Sequence, residues 1–401
     1  MTVRTTRRVF LSAATMMAAA LAATACGSPQ DTASGGGDGA APVKVGLVYS
    51  QSGPLASYGK QYIEGFKAGL DFATKGTNKV GDRKIEVTEV DDAGDPAKAV
   101  SAAKDLIGKG NKIIAGSTSS GVALQVAPIA AQNKVLFISG PAATDGLTGA
   151  NKYTFRSGRQ SYQDVVTAKS FIGDAAGKKV VVFAQDGAFG DANEAAVKKV
   201  IGGAGATVSS VRAPASASEF TPFASQIKAA KPDLLFVAWA GTTGPAMWQT
   251  LDQQGVLSST TVVTGLDIRA TWPTFGAAGG KISFLSHYFD GASDTEAAKA
   301  AKAKIPGGTL DLFHPDGFAA AQMVVRAVTE GGDDVDKMIK ALEGWKFDGV
   351  KGPMTIRAED HALLQPMFQA KLSGSGTAFT ASAQKSLTGD ETAPPVGQMK
   401  G

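Results

Sequence analysis

Cysteine is the scarcest residue type in this chain of 401 residues, because it occurs once, at position 26. An intramolecular disulfide is therefore excluded, and stability must come from a packed core. The three histidines, His287, His314 and His361, are scattered without the spacing of a zinc site. Neither a GxxxxGK[ST] phosphate loop nor a GxSxG nucleophile elbow occurs. The sequence therefore predicts no metal, no cofactor and no catalytic activity.

A strong charge of either sign is also missing. The formal net charge is +4, and it falls to +1 without residues 1–25, which carry three arginines and no acid. The remaining charges of both signs are interspersed along the chain. A nearly neutral body argues against nucleic acid as a partner.

The N-terminus has the layout of a secretory signal. Arginines at positions 4, 7 and 8 precede an apolar stretch at residues 9–23, which is shorter than the roughly 20 residues of a membrane span. The sequence Ala23-Thr24-Ala25-Cys26 resembles the lipobox of bacterial lipoproteins, in which the cysteine is acylated, although Cys26 could also be a stray thiol. Residues 6–11, TRRVFL, resemble a twin-arginine export motif, and ordinary secretion is the alternative.

Residues 26–42 are predicted to form a flexible tether. The sixteen residues that follow Cys26 are small or polar. A flexible segment of that length spans roughly 22 Å, enough to hold a folded body clear of a lipid surface. We therefore expect an extracytoplasmic protein that is anchored by lipidated Cys26 to the outer face of the cytoplasmic membrane.

Beyond the tether, β-branched apolar runs of strand length alternate with alanine-rich segments of helical periodicity. This β-α-β rhythm predicts an α/β fold with parallel sheets that are covered by helices on both faces. The rhythm starts twice, at KVGLVYSQSGPLASYG and at KVVVFAQDGAFG, so the sequence predicts two similar lobes.

We assign the first lobe to residues 43–160 and 287–350. The second lobe is assigned to residues 161–286 and 351–385, and residues 386–401 to a disordered tail because they are rich in polar residues, glycine and proline.

In open parallel sheets, ligands bind beyond the carboxyl ends of the strands, so the loops after the strands are candidate sites. The segment AGSTSSGVALQ places Ser119 and Ser120 after an apolar run and at the start of a helix. Hydroxyls together with N–H groups at a helix start can hold a carboxylate, although either serine could simply cap the helix. Thr144 follows another strand of the same lobe and could supply a second hydroxyl to the same anion.

The second lobe contributes an acid and an aromatic to the predicted cleft. Asp267 follows a strand and could balance an ammonium group, or it could pair with Arg269 or cap a helix. Tyr58 and Phe189 occupy equivalent positions in the two lobes and could form apolar walls, although a single aromatic more often packs in a core.

Several segments together are similar to the periplasmic binding proteins of branched-chain amino acid ABC transporters. They are VGLVYSQSGPLASYG, EVDDAGDPAKAV, PAATDGLTG, FRSG, FGDAN and GPMTI, and the similarity runs over residues 43–372. The resemblance implies the type I fold of this family, with two doubly wound lobes joined by a hinge of three crossings. It also implies a ligand that is captured between the lobes and passed to a membrane permease, with a tether that suits cells lacking a conventional periplasm.

The resemblance assigns roles residue by residue. Ser120, Thr144 and the backbone near Ala142 would hold the α-carboxylate of the ligand. Asp267 would receive its α-ammonium, and Tyr58 would line the side-chain pocket.

The sequence departs from the family pattern on the ammonium side. Amino-acid-binding members carry tyrosine at the positions of Phe189 and near Thr242, and Trp239 is two or three residues out of place. The disulfide that some members carry near Gly94 and Ser119 is absent, since neither residue is cysteine.

The sequence thus predicts a monomeric solute receptor of an ABC importer, with a small, aliphatic amino acid as the expected ligand. An amine-free aromatic or short-chain carboxylate is the alternative ligand. A surface serine hydrolase acting through Ser119 or Ser120 and a sensory module coupled to a membrane kinase are the alternative functions.

Overall fold

The computed structural model describes residues 40–375 and 378–400, apart from the side chains of residues 276–278. The predicted signal peptide, the lipobox with Cys26 and all but the end of the tether lie outside the described residues. Within the described part of the chain, no helix combines the length and the apolar character that a membrane span requires.

The first lobe is built on a six-stranded sheet with the strand order β2-β3-β1-β4-β5-β6. Only β2 runs antiparallel to its neighbour. The elements that lead into and through this sheet are β1 Val43–Tyr49, α1 Ala56–Ala73, β2 Lys79–Val80, β3 Arg83–Asp91, α2 Pro96–Gly108, β4 Ile113–Gly116, α3 Ser120–Asn133, β5 Leu136–Ser139 and β6 Thr154–Arg156.

The second lobe has a seven-stranded sheet with the order β16-β15-β11-β10-β9-β7-β8, in which β15 and β16 are antiparallel. Its elements are α4 Ser161–Lys169, β7 Lys179–Gln185, α5 Ala188–Val200, β8 Thr207–Ala213, α6 Thr221–Ala230, β9 Leu234–Ala238, α7 Gly244–Gln253, α8 Val256–Ser259, β10 Thr261–Gly265, β11 Ile282–Ser286, β15 Met367–Ser375 and β16 Ala378–Leu387.

The chain returns to the first lobe between β11 and β15. That segment contains α9 Glu296–Lys304, α10 His314–Gly331, α11 Val335–Leu342, β12 Lys346–Gly349, β13 Gly352–Ile356 and β14 Leu363–Leu364. The last three strands form a small antiparallel sheet. The chain therefore passes between the lobes three times, after β6, β11 and β14, as the family resemblance implies.

Each lobe is a three-layer sandwich because apolar side chains leave both faces of its sheet. On the first sheet, Val45 and Leu47 of β1 join the core under α1, α10 and α11, while Val48 faces the core under α2 and α3. The second sheet packs one face against α6 and α7 and the other against α4 and α5. Burial on both faces explains why these strands read as continuous apolar runs.

Glycines allow the two long helices of the first lobe to approach closely. A Cβ atom on Gly65 of α1 would lie 2.0 Å from the carbonyl oxygen of His314, and one on Gly317 of α10 would lie 1.9 Å from that of Tyr62. Because real Cβ atoms do not come that close, any side chain here would push α1 and α10 apart. The helix pair supports the edge of the cleft that α1 helps to form.

The expected boundary of the second lobe is wrong. Residues 351–364 were expected in the second lobe, but Met354, Ile356 and Leu363 pack into the core of the first lobe. Strand periodicity reports burial and not which of two similar cores a strand covers, so the sequence could not decide this placement. The second lobe resumes only at β15.

The expected disordered tail is wrong for the described residues 386–400. Its first residues complete β16, and the rest lies against the first lobe. Arg357 Nη1 donates to the Pro394 carbonyl at 2.7 Å, Gly397 N donates to an Asp360 carboxylate oxygen at 2.8 Å, and Lys400 N donates to the Gly149 carbonyl at 2.8 Å. Tertiary partners thus order a segment whose composition alone is typical of disorder.

Candidate functional site

A cleft of about 390 Å³ lies between the lobes. Its walls are the loops that follow β1, β4 and β5 of the first sheet and β7, β9, β10 and β11 of the second. Parallel strands present their carboxyl ends at one edge, and this is where ligands bind in open α/β sheets. Of the predicted site residues, those on the cleft wall are Tyr58, Ser119, Ser120, Phe189, Thr242 and Asp267.

The first wall contains the start of α3. Ser119 occupies the N-cap position, but its hydroxyl makes no capping hydrogen bond, so it does not serve the simple capping role. Ser120 is buried, and its hydroxyl accepts a hydrogen bond from Thr144 N at 3.3 Å. Because the first N–H groups of a helix lack intrahelical acceptors and carry the positive end of its dipole, this wall suits an anion.

Thr144 and Ala142 do not line the cleft, although their neighbours Pro141 and Ala143 do. The Thr144 hydroxyl accepts a hydrogen bond from Gly146 N at 3.3 Å and starts a short 3₁₀ turn. The amide of Ala142 donates to the Ser117 carbonyl at 3.2 Å. Both residues therefore shape the loop behind the wall in this structure.

Buried Arg156 holds that loop in place. Its guanidinium donates to the carbonyls of Ala142 at 2.9 Å, Thr144 at 3.2 Å and Arg159 at 2.8 Å. Burial lowers the pKa of Arg156 to about 10, so the side chain remains protonated at neutral pH. The sequence motif FRSG contains this arginine, but its contacts could not be read from the motif.

The opposite wall contains Asp267, whose carboxylate is linked to the first lobe. Tyr58 donates from its hydroxyl to Asp267 Oδ1 at 2.7 Å and accepts from Gly241 N at 3.2 Å. The same carboxylate oxygen accepts from Ile268 N at 2.7 Å. Burial raises the pKa of Asp267 to about 6, against the smaller opposing effect of the Tyr58 hydrogen bond. Tyr58 thus joins the two lobes across the cleft.

Arg269, the alternative partner predicted for Asp267, makes its contacts with other residues. Arg269 donates from its backbone N–H to Asp311 Oδ2 at 2.9 Å, and its guanidinium lies 5.7 Å from the centre of the Trp272 ring. Among the described residues, no ion pair joins Asp267 to Arg269. Asp267 therefore faces the cleft with a tyrosine rather than an arginine as its partner.

Aromatic side chains make much of the remaining second-lobe wall. Phe189 lies in the first turn of α5, and Trp239 directly follows β9. The Trp239 indole donates to the Thr243 hydroxyl at 3.0 Å, and its ring lies 5.1 Å from that of Phe183. Thr242 lies on the loop between β9 and α7. The Trp239 ring is thus held in place by contacts within its own lobe.

Three further side chains close the hinge end of the cleft, and sequence analysis missed them. They are Arg159, Asp164 and His287, which belong to two of the crossings between the lobes. Arg159 Nε lies 3.2 Å from Asp164 Oδ2, and Arg159 Nη1 donates to the Pro141 carbonyl at 3.0 Å. Burial lowers the pKa of His287 well below its usual value and raises that of Asp164 to about 6.

A buried ion pair lies behind His287. Lys351 Nζ contacts Asp316 Oδ1 at 2.7 Å and Gln365 Oε1 at 2.6 Å, and Asp316 Oδ2 lies 3.7 Å from His287 Nε2. Burial lowers the pKa of Lys351, against the attraction of Asp316. The pair joins α10 to the turn between β12 and β13, and Gln365, which follows β14, connects it to the third crossing.

A nucleophile with its base is not assembled in the described part of the chain. Neither Ser119 nor Ser120 is hydrogen-bonded to a histidine there: His314 contacts Glu64, His361 stacks on Phe155, and His287 lies at the hinge end beside Asp316. The residues described also contain no group of three side chains placed to hold a metal ion.

Comparisons with known proteins agree with this architecture. The family model of the periplasmic binding proteins matches residues 42–377. A Leu/Ile/Val-binding protein of Rhizobium johnstonii is 27% identical over 325 residues, which are 79% of this chain and 86% of that protein.

Two solved structures from Rhodopseudomonas palustris are also similar. An ABC-type branched-chain amino acid transporter is 32% identical, with a TM-score of 0.74 over 89% of this chain and all of that one. A solute-binding protein of an ABC transporter in complex with p-hydroxybenzoic acid is 25% identical, with a TM-score of 0.79 over 87% of this chain and 97% of that one. From the family match and these similarities, we conclude that the chain belongs to the periplasmic binding protein family of extracytoplasmic solute-binding proteins.

Proposed function

We propose that this protein is the solute receptor of an ABC importer and that it clamps a small amino acid between its lobes. The observation that carries the proposal is the pairing of the α3 N-terminus on one wall with Asp267 on the other. An amino acid has an anionic and a cationic end, and the two walls offer complementary groups.

The first wall would hold the α-carboxylate. Ser120 and the N–H groups at the start of α3 offer hydrogen bonds and a favourable dipole, and the Arg156-supported loop with Thr144 and Ala142 keeps the neighbouring backbone in position. Ser119 lies beside them with its hydroxyl uncommitted to capping.

The second wall would hold the α-ammonium. Asp267 is ionised in most molecules at neutral pH, and Tyr58 orients its carboxylate. Phe189 and Thr242 would line the space for the ligand side chain. The similarity to an ABC-type branched-chain amino acid transporter and to a Leu/Ile/Val-binding protein supports an aliphatic amino acid as the ligand.

A carboxylate without an amine is the second candidate. Asp267 already has a hydroxyl partner in Tyr58, so the site does not require an ammonium to satisfy its carboxylate. A related solute-binding protein that was crystallised with p-hydroxybenzoic acid supports this class.

The remaining parts of the proposal concern cellular context. Cys26 would be acylated after signal cleavage and would anchor the protein, as a monomer, outside the cytoplasmic membrane next to its permease. The lipobox-like sequence and the tether support this proposal. Mass spectrometry of membrane fractions, before and after Cys26→Ser, would test it through the mass of the lipid.

A thermal-shift screen tests the ligand class. The mature chain from residue 26, with Cys26→Ser to avoid lipidation, is melted with each of the twenty amino acids and with simple carboxylates. A ligand at 100 times its Kd adds about 2.7 kcal/mol, which shifts the melting temperature of a protein this size by about 3–4 °C. Shifts with aliphatic amino acids support the first candidate, and shifts only with amine-free acids support the second. No shift with any compound would contradict the proposed function.

A further inference from the structure

The hinge end of the cleft is polar, in contrast to the aromatic wall beside it. Arg159 lies on the first crossing, Asp164 lies at the start of α4 directly after it, and His287 lies on the second crossing. The side chains of Arg159 and Asp164 are 11% and 6% exposed, and that of His287 is 3% exposed. All three line the cleft, whereas the Lys351–Asp316 pair behind them does not.

Each of the three side chains has a buried polar atom without a hydrogen-bond partner among the described residues. These atoms are Arg159 Nε, Asp164 Oδ1 and His287 Nε2. The Arg159–Asp164 ion pair is close but does not align for a hydrogen bond at Nε. His287 Nε2 lies 3.7 Å from Asp316 Oδ2 behind the cleft, so the unpaired atoms of Arg159 and Asp164 are the ones that indicate a place built for a polar group, because a buried polar atom without a partner is destabilising.

The charges at this end restrict which group fits. Arg159 is cationic and Asp164 is anionic at neutral pH, and His287 is neutral because burial lowers its pKa. A second carboxylate on the ligand would be repelled by Asp164, and an ammonium group would be repelled by Arg159. A neutral group that both donates and accepts can satisfy the arginine and the aspartate together.

The aromatic ring of Phe313 beside these side chains favours hydrogen bonds at the hinge end of the cleft. The Phe313 ring lies 5.3 Å from the His287 ring and 6.0 Å from the Arg159 guanidinium carbon. Hydrogen bonds are stronger where protein side chains lower the local dielectric constant, and unpaired polar groups there are more destabilising.

We propose that Arg159, Asp164 and His287 form a hinge subsite that binds a hydroxyl or carboxamide group of the ligand, separate from the ligand carboxylate. The proposal rests on the proposed function, since it assumes a small carboxylate ligand in this cleft. It narrows the ligand class to a hydroxylated or amidated acid rather than a purely aliphatic one. It also gives the ligand contacts on two crossings, so that binding is coupled to the hinge.

Calorimetry with isosteric ligand pairs tests the subsite in the mature Cys26→Ser chain. The pairs are threonine and valine, homoserine and norvaline, and 4-hydroxybenzoate and 4-methylbenzoate, which differ by a hydroxyl in place of a methyl group. We expect at least one hydroxyl compound to bind more than tenfold tighter than its methyl partner. Arg159→Met and, separately, His287→Phe should reduce that ratio to below threefold.

The matched control is Arg326→Met, which removes a surface arginine of α10 that pairs with Glu330 and should leave every ratio unchanged. Equal or tighter binding of the methyl member in every pair that binds would overturn the subsite and leave the proposed function intact. Persistence of the hydroxyl preference in His287→Phe and in a folded Arg159→Met would also overturn it. If no compound of either type binds, the proposed function fails and the subsite fails with it.

Discussion

The affinity for an amino acid ligand should depend on pH through Asp267. An ammonium group binds the ionised carboxylate, so binding must remove the proton that Asp267 carries at low pH. Burial raises the pKa of this carboxyl to about 6, and the ligand itself does not titrate between pH 5 and 7.5. Asp311 and Tyr58 are the other titratable groups that act on Asp267, and Tyr58 stays protonated throughout because burial raises its pKa.

The size of the effect follows from the fraction of ionised Asp267. With a pKa of about 6, about nine-tenths of the protein is ionised at pH 7 and about one-tenth at pH 5. The affinity should therefore be roughly constant above pH 7 and about tenfold lower at pH 5. An amine-free carboxylate should instead bind equally well or better at pH 5, because protonation removes a negative charge from the cleft.

Calorimetric titrations at pH 5, 6 and 7.5 in buffers of matched ionic strength measure this effect, with two variants as controls. Asp267→Asn should remove the tenfold loss of affinity at pH 5 that comes from Asp267, and only the contribution of Asp164, which lines the same cleft with a pKa raised to about 6, should remain. Tyr58→Phe should move its midpoint to higher pH, because the Tyr58 hydrogen bond lowers the pKa of Asp267. An amino acid that binds with the same affinity from pH 5 to 7.5, or equally well to Asp267→Asn, would refute the role of Asp267.

The same pKa has a consequence for the ligand-free protein. The folded-state pKa of Asp267 lies above the usual value of 3.8, so the fold favours the protonated form. Protonated Asp267 therefore adds to the free energy of unfolding. This contribution is fully present below about pH 4 and is lost as the pH rises through about 6.

Three further predictions concern binding and stability. Lys351→Met should lower the free energy of unfolding by about 3–5 kcal/mol because Asp316 stays buried without its partner, and Lys351→Met with Asp316→Leu should recover most of that loss in urea unfolding. If Lys351→Met alone were as stable as the wild type, the buried Lys351–Asp316 pair would not contribute to stability in this way. Ser120→Ala should weaken a carboxylate ligand about 10- to 100-fold in calorimetry, because a charge-assisted hydrogen bond is lost, and an unchanged Kd would remove Ser120 from the site. Deletion of residues 388–401 should lower stability by about 1–3 kcal/mol, since the bonds to the Pro394, Gly397 and Lys400 backbone disappear, and an unchanged melting temperature would show that the tail contributes nothing.

Much of the cleft wall could be predicted from the sequence. Ser120, Asp267 and Phe189 follow strands, and the carboxyl ends of parallel strands converge on one edge, so local patterns were enough to bring them to one cleft. Thr144 and Ala142 follow a strand as well, yet they lie just behind the wall. The rule identifies the loop but not which residue of the loop faces inward. The ligand roles of all these residues stay predictions.

The hinge end was not predictable in the same way. Arg159 and Asp164 are close in sequence, but His287 is more than 120 residues away, and Lys351 and Asp316 meet behind it from different segments. Charged residues in a sequence are usually solvated, and only the folded chain shows that four of these five are buried and that Arg159 is 11% exposed.

The sequence by itself determined the α/β class, the two lobes and the edge at which a ligand would bind, because strand and helix periodicity and the direction of parallel strands are local properties. Tertiary structure alone decided that residues 351–364 cover the first core, that the tail returns to the first lobe, that Tyr58 bridges to Asp267, and that polar side chains meet at the hinge end of the cleft. These features depend on contacts between residues far apart in the chain. Their energies come from burial and pairing in three dimensions, which no local pattern encodes.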